Sequence, residues 1–95
     1  MIIATVKAKV KPGTGAEYLE VVKPYSAAAL QAGCLEHLAM PTYEPDEFFQ
    51  YELWESMEAL NDFCATEPAK KFQEGRKPYF LQETKVVKIF DADLR

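Results

Sequence analysis

The chain is poor in metal ligands: it has one histidine, His37, and two cysteines, Cys34 and Cys64, which stand far apart with no C-x-x-C spacing. A dedicated zinc or iron site within one subunit is therefore poorly supplied, and the two thiols are expected to be small buried hydrophobes. No glycine-rich phosphate loop is present, so the protein is expected to carry no flavin, haem or metal. Positive charge is also scarce. Eleven basic residues against fifteen acidic leave a net charge of -4, which argues against a phosphate-binding role and excludes nucleic acid as an expected partner. No apolar run approaches the length of a membrane span, and MIIATVKAKVKPG turns polar too early for a signal peptide. A cytoplasmic protein without a membrane partner is expected.

What is present is a core. Nearly half of the 95 residues are apolar (48%) and 13% are aromatic, enough for one packed domain over residues 1–95 and too little for two. From Ile2 to Lys11 the residues alternate: Ile2, Ala4, Val6, Ala8 and Val10 take one side while Lys7, Lys9 and Lys11 take the other, a solvated face. That period of two predicts a first strand. After the turn Pro12-Gly13-Thr14-Gly15, the spacing of Tyr18, Val22, Tyr25 and Ala29 predicts a helix ending at Gly33, with Pro24 removing one backbone donor. Residues 34–40 and 47–54 read as two antiparallel strands joined by a proline-containing connection. Ser56 is placed to cap a helix carrying Leu60, Phe63 and Cys64 inward, and Thr66 to cap a second piece through Ala69, Phe72 and Gln73. Residues 82–90 read as the last strand.

The order β-α-β-β-α-β predicts an α+β, ferredoxin-like fold: a four-stranded antiparallel sheet with helices on one face. The third strand is unusual in wanting burial on both sides. Phe48, Gln50, Glu52 and Trp54 share one face, and Phe49, Tyr51 and Leu53 the other. Helices in so short a chain can cover one face only, so the other is expected to pack against a second copy in a homodimer.

Three motifs occur in order along this framework: Lys11-Pro12-Gly13, Ala32-Gly33-Cys34-Leu35, and the run Tyr51-Glu52-Leu53-Trp54-Glu55-Ser56-Met57-Glu58-Ala59-Leu60. Together they resemble the K-P-G, G-C-L and Y-E-x-W-E-S-x-E-A-L pattern of the antibiotic-biosynthesis-monooxygenase, or quinol monooxygenase-like, family of the dimeric α+β barrel superfamily. The resemblance implies a dimer whose sheets face each other as a barrel, with a ligand cavity between sheet and helices in each subunit. It further implies a small quinol or related phenolic as substrate, oxidised by dioxygen without a cofactor. Polar and tryptophan positions four apart on the third strand line the cavity in such enzymes; Gln50 and Trp54 match them, with glutamine in place of asparagine. The segment Thr66-Glu67-Pro68-Ala69-Lys70-Lys71-Phe72 lacks the histidine that many members show there, and Gln73 or a neighbour stands where a haem-degrading branch would need a haem-ligating histidine.

Dioxygen is a triplet and reacts slowly with ordinary organic molecules, so a cofactor-free oxygenase needs a substrate that becomes electron-rich on losing a proton. Such a site must bind a flat aromatic, remove the proton, stabilise the anion and exclude water. On the third strand, Phe48 and Trp54 are candidate aromatic walls, Gln50 a candidate polar contact, and Glu52 a candidate base whose proton affinity burial would raise. Glu52 can equally pair with a lysine across the sheet or reach the barrel rim, and Trp54 can be core. His37 is a second candidate base or anion-stabilising donor if Leu35, His37 and Ala39 face the cavity; otherwise it is a satisfied or exposed strand histidine. Tyr25 can donate to a substrate oxygen or simply pack, and Arg76 can stabilise an anion. The same cavity and base would also suit an isomerase moving a proton on a small carbonyl compound, or a non-catalytic ligand-binding dimer.

Overall fold

The computed structural model describes residues 1–81 and 86–93. Its elements are β1 (Ile2–Lys9), α1 (Gly15–Gln31), β2 (Glu36–Pro41), β3 (Glu47–Trp54), α2 (Met57–Cys64), α3 (Glu67–Arg76), a 3₁₀ turn (Lys77–Tyr79) and β4 (Val86–Asp91). The strands form one antiparallel sheet in the order β2-β3-β1-β4. This is the α+β, ferredoxin-like architecture expected.

The helix face of β1 buries Ala8, as alternation requires, while regular pairing stops at Lys9 and Val10 makes an isolated bridge to Phe80. The first strand is thus shorter than the alternation suggests. Helix α1 buries Tyr18, Val22, Tyr25 and Ala29 and runs through Pro24 without ending there. It ends at Gln31 ahead of Gly33, whose positive φ of 109° is a conformation that glycine adopts freely. Around it, Gly33 N–H donates to Leu30 O and Cys34 N–H to Ala29 O, the paired bonds of a Schellman ending. Those bonds delay the entry into β2, which starts at Glu36 and not at Cys34.

Ser56 caps α2 as expected, accepting a hydrogen bond from Ala59 N–H. Thr66 does not cap α3 through its side chain. Its hydroxyl donates to Phe63 O at 2.7 Å instead, tying α3 to the end of α2. The expected start of the last strand, residues 82–85, lies outside the described residues; β4 is paired with β1 from Val86.

The core lies between the three helices and the sheet. All of Phe48, Gln50, Glu52 and Trp54 are buried on the helix face of β3, while Phe49, Tyr51 and Leu53 are half-buried on the opposite face. Leu38 (51% exposed), Met40 (42%), Val86 (44%) and Phe90 (49%) continue that opposite face.

Candidate active site between sheet and helices

A cavity of about 470 Å³ opens between the sheet and the helices. Its floor comes from three adjacent strands: Ala4 and Val6 of β1, Gln50 and Glu52 of β3, Val87 and Ile89 of β4. The register explains the grouping, because Ala4 stands opposite both Glu52 and Ile89, and Val6 opposite both Gln50 and Val87. The roof is Tyr25 of α1, Leu60 and Cys64 of α2, and Phe72, Gln73 and Arg76 of α3, with Phe80 beyond the 3₁₀ turn. Leu60 and Cys64, like Phe72 and Arg76, are four residues apart, so each pair shares a helix face.

Glu52 is buried in this wall and fully engaged. The Tyr25 hydroxyl donates to its Oε2 at 2.6 Å, and the Trp54 indole N–H donates to its Oε1 at 2.8 Å. His37, opposite Glu52 across the β2–β3 ladder, holds Nε2 3.7 Å from Oε2, beyond hydrogen-bond distance. Burial pushes the carboxyl toward its neutral form, but His37, Tyr25 and Trp54 outweigh it and hold the Glu52 pKa below the ordinary carboxylate value. The expectation of a raised proton affinity is therefore overturned. Its neighbours across the ladders are Ala4 and His37, not a lysine. Glu52 is a held anion, and the donors that hold it are invisible to a judgement based on residue type alone.

The remaining candidates divide. Gln50 lines the cavity and donates its amide N–H to the Tyr18 hydroxyl, which burial pushes up to about 12 despite Arg76 and Gln50. Arg76 lines it too, with its guanidinium 4.9 Å from the Phe72 ring centroid and 5.4 Å from that of Phe80. Tyr25 lines it, but its proton is committed to Glu52, and burial followed by the Glu52 charge drives its pKa upward. Phe48 and Trp54 are not cavity walls. Phe48 packs on Tyr18 at 5.3 Å and closes against Gly15, where an added Cβ would meet its ring at 2.9 Å. Trp54 is wholly buried against Phe63, and its contribution to the site is the hydrogen bond to Glu52. His37 does not face the cavity; its side chain is 1% exposed, behind Glu52.

Phe72, Gln73, Cys64 and Phe80 were not expected as lining. The signal available was the four-residue spacing on α2 and α3, which marks a shared face without saying that the face meets a void. The Cys64 thiol is pushed up by burial and by the Glu52 charge, against Arg76. The Tyr25 and Phe72 rings stack at 4.2 Å, and on their far side a more apolar hollow of about 520 Å³ lies between α1 and α3.

Residues 1–75 match the family model described as Antibiotic biosynthesis monooxygenase. The chain belongs to that family. Solved structures agree on the fold. One, called an antibiotic biosynthesis monooxygenase, shares 21% identity at a TM-score of 0.85, covering 97% of this chain and 98% of the other. A candidate antibiotic biosynthesis monooxygenase from Caulobacter crescentus CB15 shares 27% identity at a TM-score of 0.84, with coverage of 96% and 88%. A conserved protein from Methanosarcina mazei Go1 shares 19% at 0.84, with coverage of 94% and 89%. No protein of curated function matches the chain in sequence. Within the antibiotic biosynthesis monooxygenase fold, the third strand thus supplies two polar groups to the cavity floor and one tryptophan to the layer that supports them.

Proposed function

We propose that this chain is a monooxygenase that oxidises a small quinol or related phenolic with dioxygen, without a cofactor, as a homodimer. The observation that carries this reading is that an ionised Glu52 and the Arg76 guanidinium line one largely apolar cavity. A flat aromatic would lie against Phe72 and Phe80, whose rings already carry the guanidinium. Glu52 accepts the acidic proton of the substrate. Arg76 and the Gln50 amide then face the oxygen on which negative charge develops.

The electron-rich anion reduces dioxygen directly. For a substrate carbon bearing two hydrogens, one oxygen atom replaces them as a carbonyl and the other leaves as water, so no external reductant is needed. The apolar floor of Ala4, Val6, Val87 and Ile89 limits the access of bulk water to the anion. A second copy would cover Leu38, Met40, Val86 and Phe90, an exposed apolar face unusual for a monomer of this size.

The test is oxygen uptake recorded together with product identity across quinols, anthrones and small carbonyl compounds. Uptake matched one to one by an oxygenated product supports the proposal. Turnover of a carbonyl compound under anaerobic conditions would instead make the protein an isomerase.

A further inference from the structure

The cavity chemistry leaves His37 unused. It is the chain's one histidine, it sits directly across the ladder from Glu52, and its side chain is almost wholly buried. Its Nε2 meets no hydrogen-bond partner among the described residues. A buried polar atom left unpaired costs about 1–3 kcal/mol, so its place beside a carboxylate asks for a reason. The distance to Glu52 Oε2 is 3.7 Å, and a movement of under about 1 Å would bring the two atoms into hydrogen-bond contact. The ring packs in a T-shaped contact with Tyr25, with centroids 5.4 Å apart at 65°. Tyr25 donates to the same carboxylate oxygen, so two groups converge on Oε2.

We propose that His37 is a positioning residue that acts through Glu52, holding as an imidazolium the proton that the substrate gives up to the carboxylate. This rests on the phenolic-substrate reading. The substrate O–H or C–H bond breaks, its electron pair stays on the substrate, and the proton goes to a Glu52 oxygen. From there it passes to His37 Nε2, and Glu52 is again a carboxylate. After dioxygen has been reduced, the same proton returns through Glu52 to the oxygen atom that leaves as water, and both residues are restored.

The arrangement removes a difficulty. A carboxyl held below its ordinary value is a poor resting place for a proton taken from a phenol, and the imidazole behind it supplies a second acceptor without touching the substrate. The other titratable groups around the pair are Tyr25 from α1, Cys34 ahead of β2, Cys64 from α2 and Arg76 from α3. Burial pushes the hydroxyl and both thiols up, so they stay neutral, and Arg76 keeps its charge. That leaves the Glu52 carboxylate and the His37 imidazole as the two proton acceptors that face each other here.

With a single histidine, ¹⁵N-histidine labelling gives one unambiguous imidazole signal. At neutral pH the full chain would be mixed with 2-naphthol, un-ionised in free solution, and the naphtholate absorption and the imidazole pattern followed together. Both should rise one for one, and His37→Gln should lose tenfold or more of the bound naphtholate. Naphtholate forming beside an unchanged imidazole, or bound naphthol remaining neutral, would overturn the proposal. In the ligand-free protein, Glu52→Gln should move the imidazole nitrogen signals from their parental positions; unmoved signals would also overturn it. Moved signals combined with no naphthol binding support the Glu52–His37 pairing and count against the phenolic substrate, so the two failures are distinguishable.

Discussion

Trp54→Phe isolates what the tryptophan does. Its side chain is wholly buried, so the substitution removes both volume and the indole N–H that reaches Glu52 at 2.8 Å. A void of roughly 40 Å³ at ~24 cal/mol per Å³ costs about 1 kcal/mol. The lost hydrogen bond to a charged acceptor costs about 1.5–3 kcal/mol more. Urea unfolding at neutral pH should therefore show a loss of about 2.5–4 kcal/mol, large against a total stability of about 5–15 kcal/mol. The hydrogen-bond part depends on Glu52 being a carboxylate. In a double-mutant cycle with Glu52→Gln, roughly 1–2 kcal/mol of that loss should disappear. Because Trp54 does not line the cavity, the substitution should lower kcat through Glu52 more than it raises KM. A loss below about 1 kcal/mol, or a cycle in which Trp54→Phe costs the same with and without Glu52→Gln, would refute the assigned role.

Acid stability is a second prediction. The folded Glu52 pKa lies below its unfolded value, so its contribution is fully present above the unfolded value of about 4.3 and is lost as pH falls through the folded one. Urea midpoints measured from pH 6 downward should fall more steeply for the parent than for Glu52→Gln, and parallel profiles would contradict this. Arg76→Gln should raise KM for an ionisable phenolic by about tenfold or more while a neutral aromatic binds nearly as before, as equilibrium binding would show; equal losses for both would mean that Arg76 only packs on Phe72 and Phe80. Light scattering should find twice the 10.8 kDa chain mass for the parent and the single mass for Leu38→Glu, which places a charge on the exposed sheet face; a monomeric parent at micromolar concentration would remove the dimer.

Periodicity made most of the fold legible. The helical spacing of Tyr18, Val22, Tyr25 and Ala29 named the buried face of α1, and alternation named the buried face of β3. Alternation says which side a residue takes, but not how deep it lies or what its neighbours aim at it. Phe48 and Trp54 share a face with Gln50 and Glu52, yet Gly15 and Tyr18 close over Phe48, and Phe63 packs on Trp54. Only the middle of the strand is left open to the cavity. The charge state of Glu52 departs from expectation for the same reason: its aromatic neighbours imply desolvation, whereas the Tyr25 hydroxyl and the Trp54 indole turn their hydrogens toward it.

The most direct test of the central claim is turnover under ¹⁸O₂ with purified, chelator-treated protein and a quinol or anthrone that supports oxygen uptake. One labelled oxygen atom should enter each product molecule, and Glu52→Gln should lower kcat by roughly a hundredfold with the fold intact. Product formed without label, or an unchanged rate in Glu52→Gln, would contradict the account.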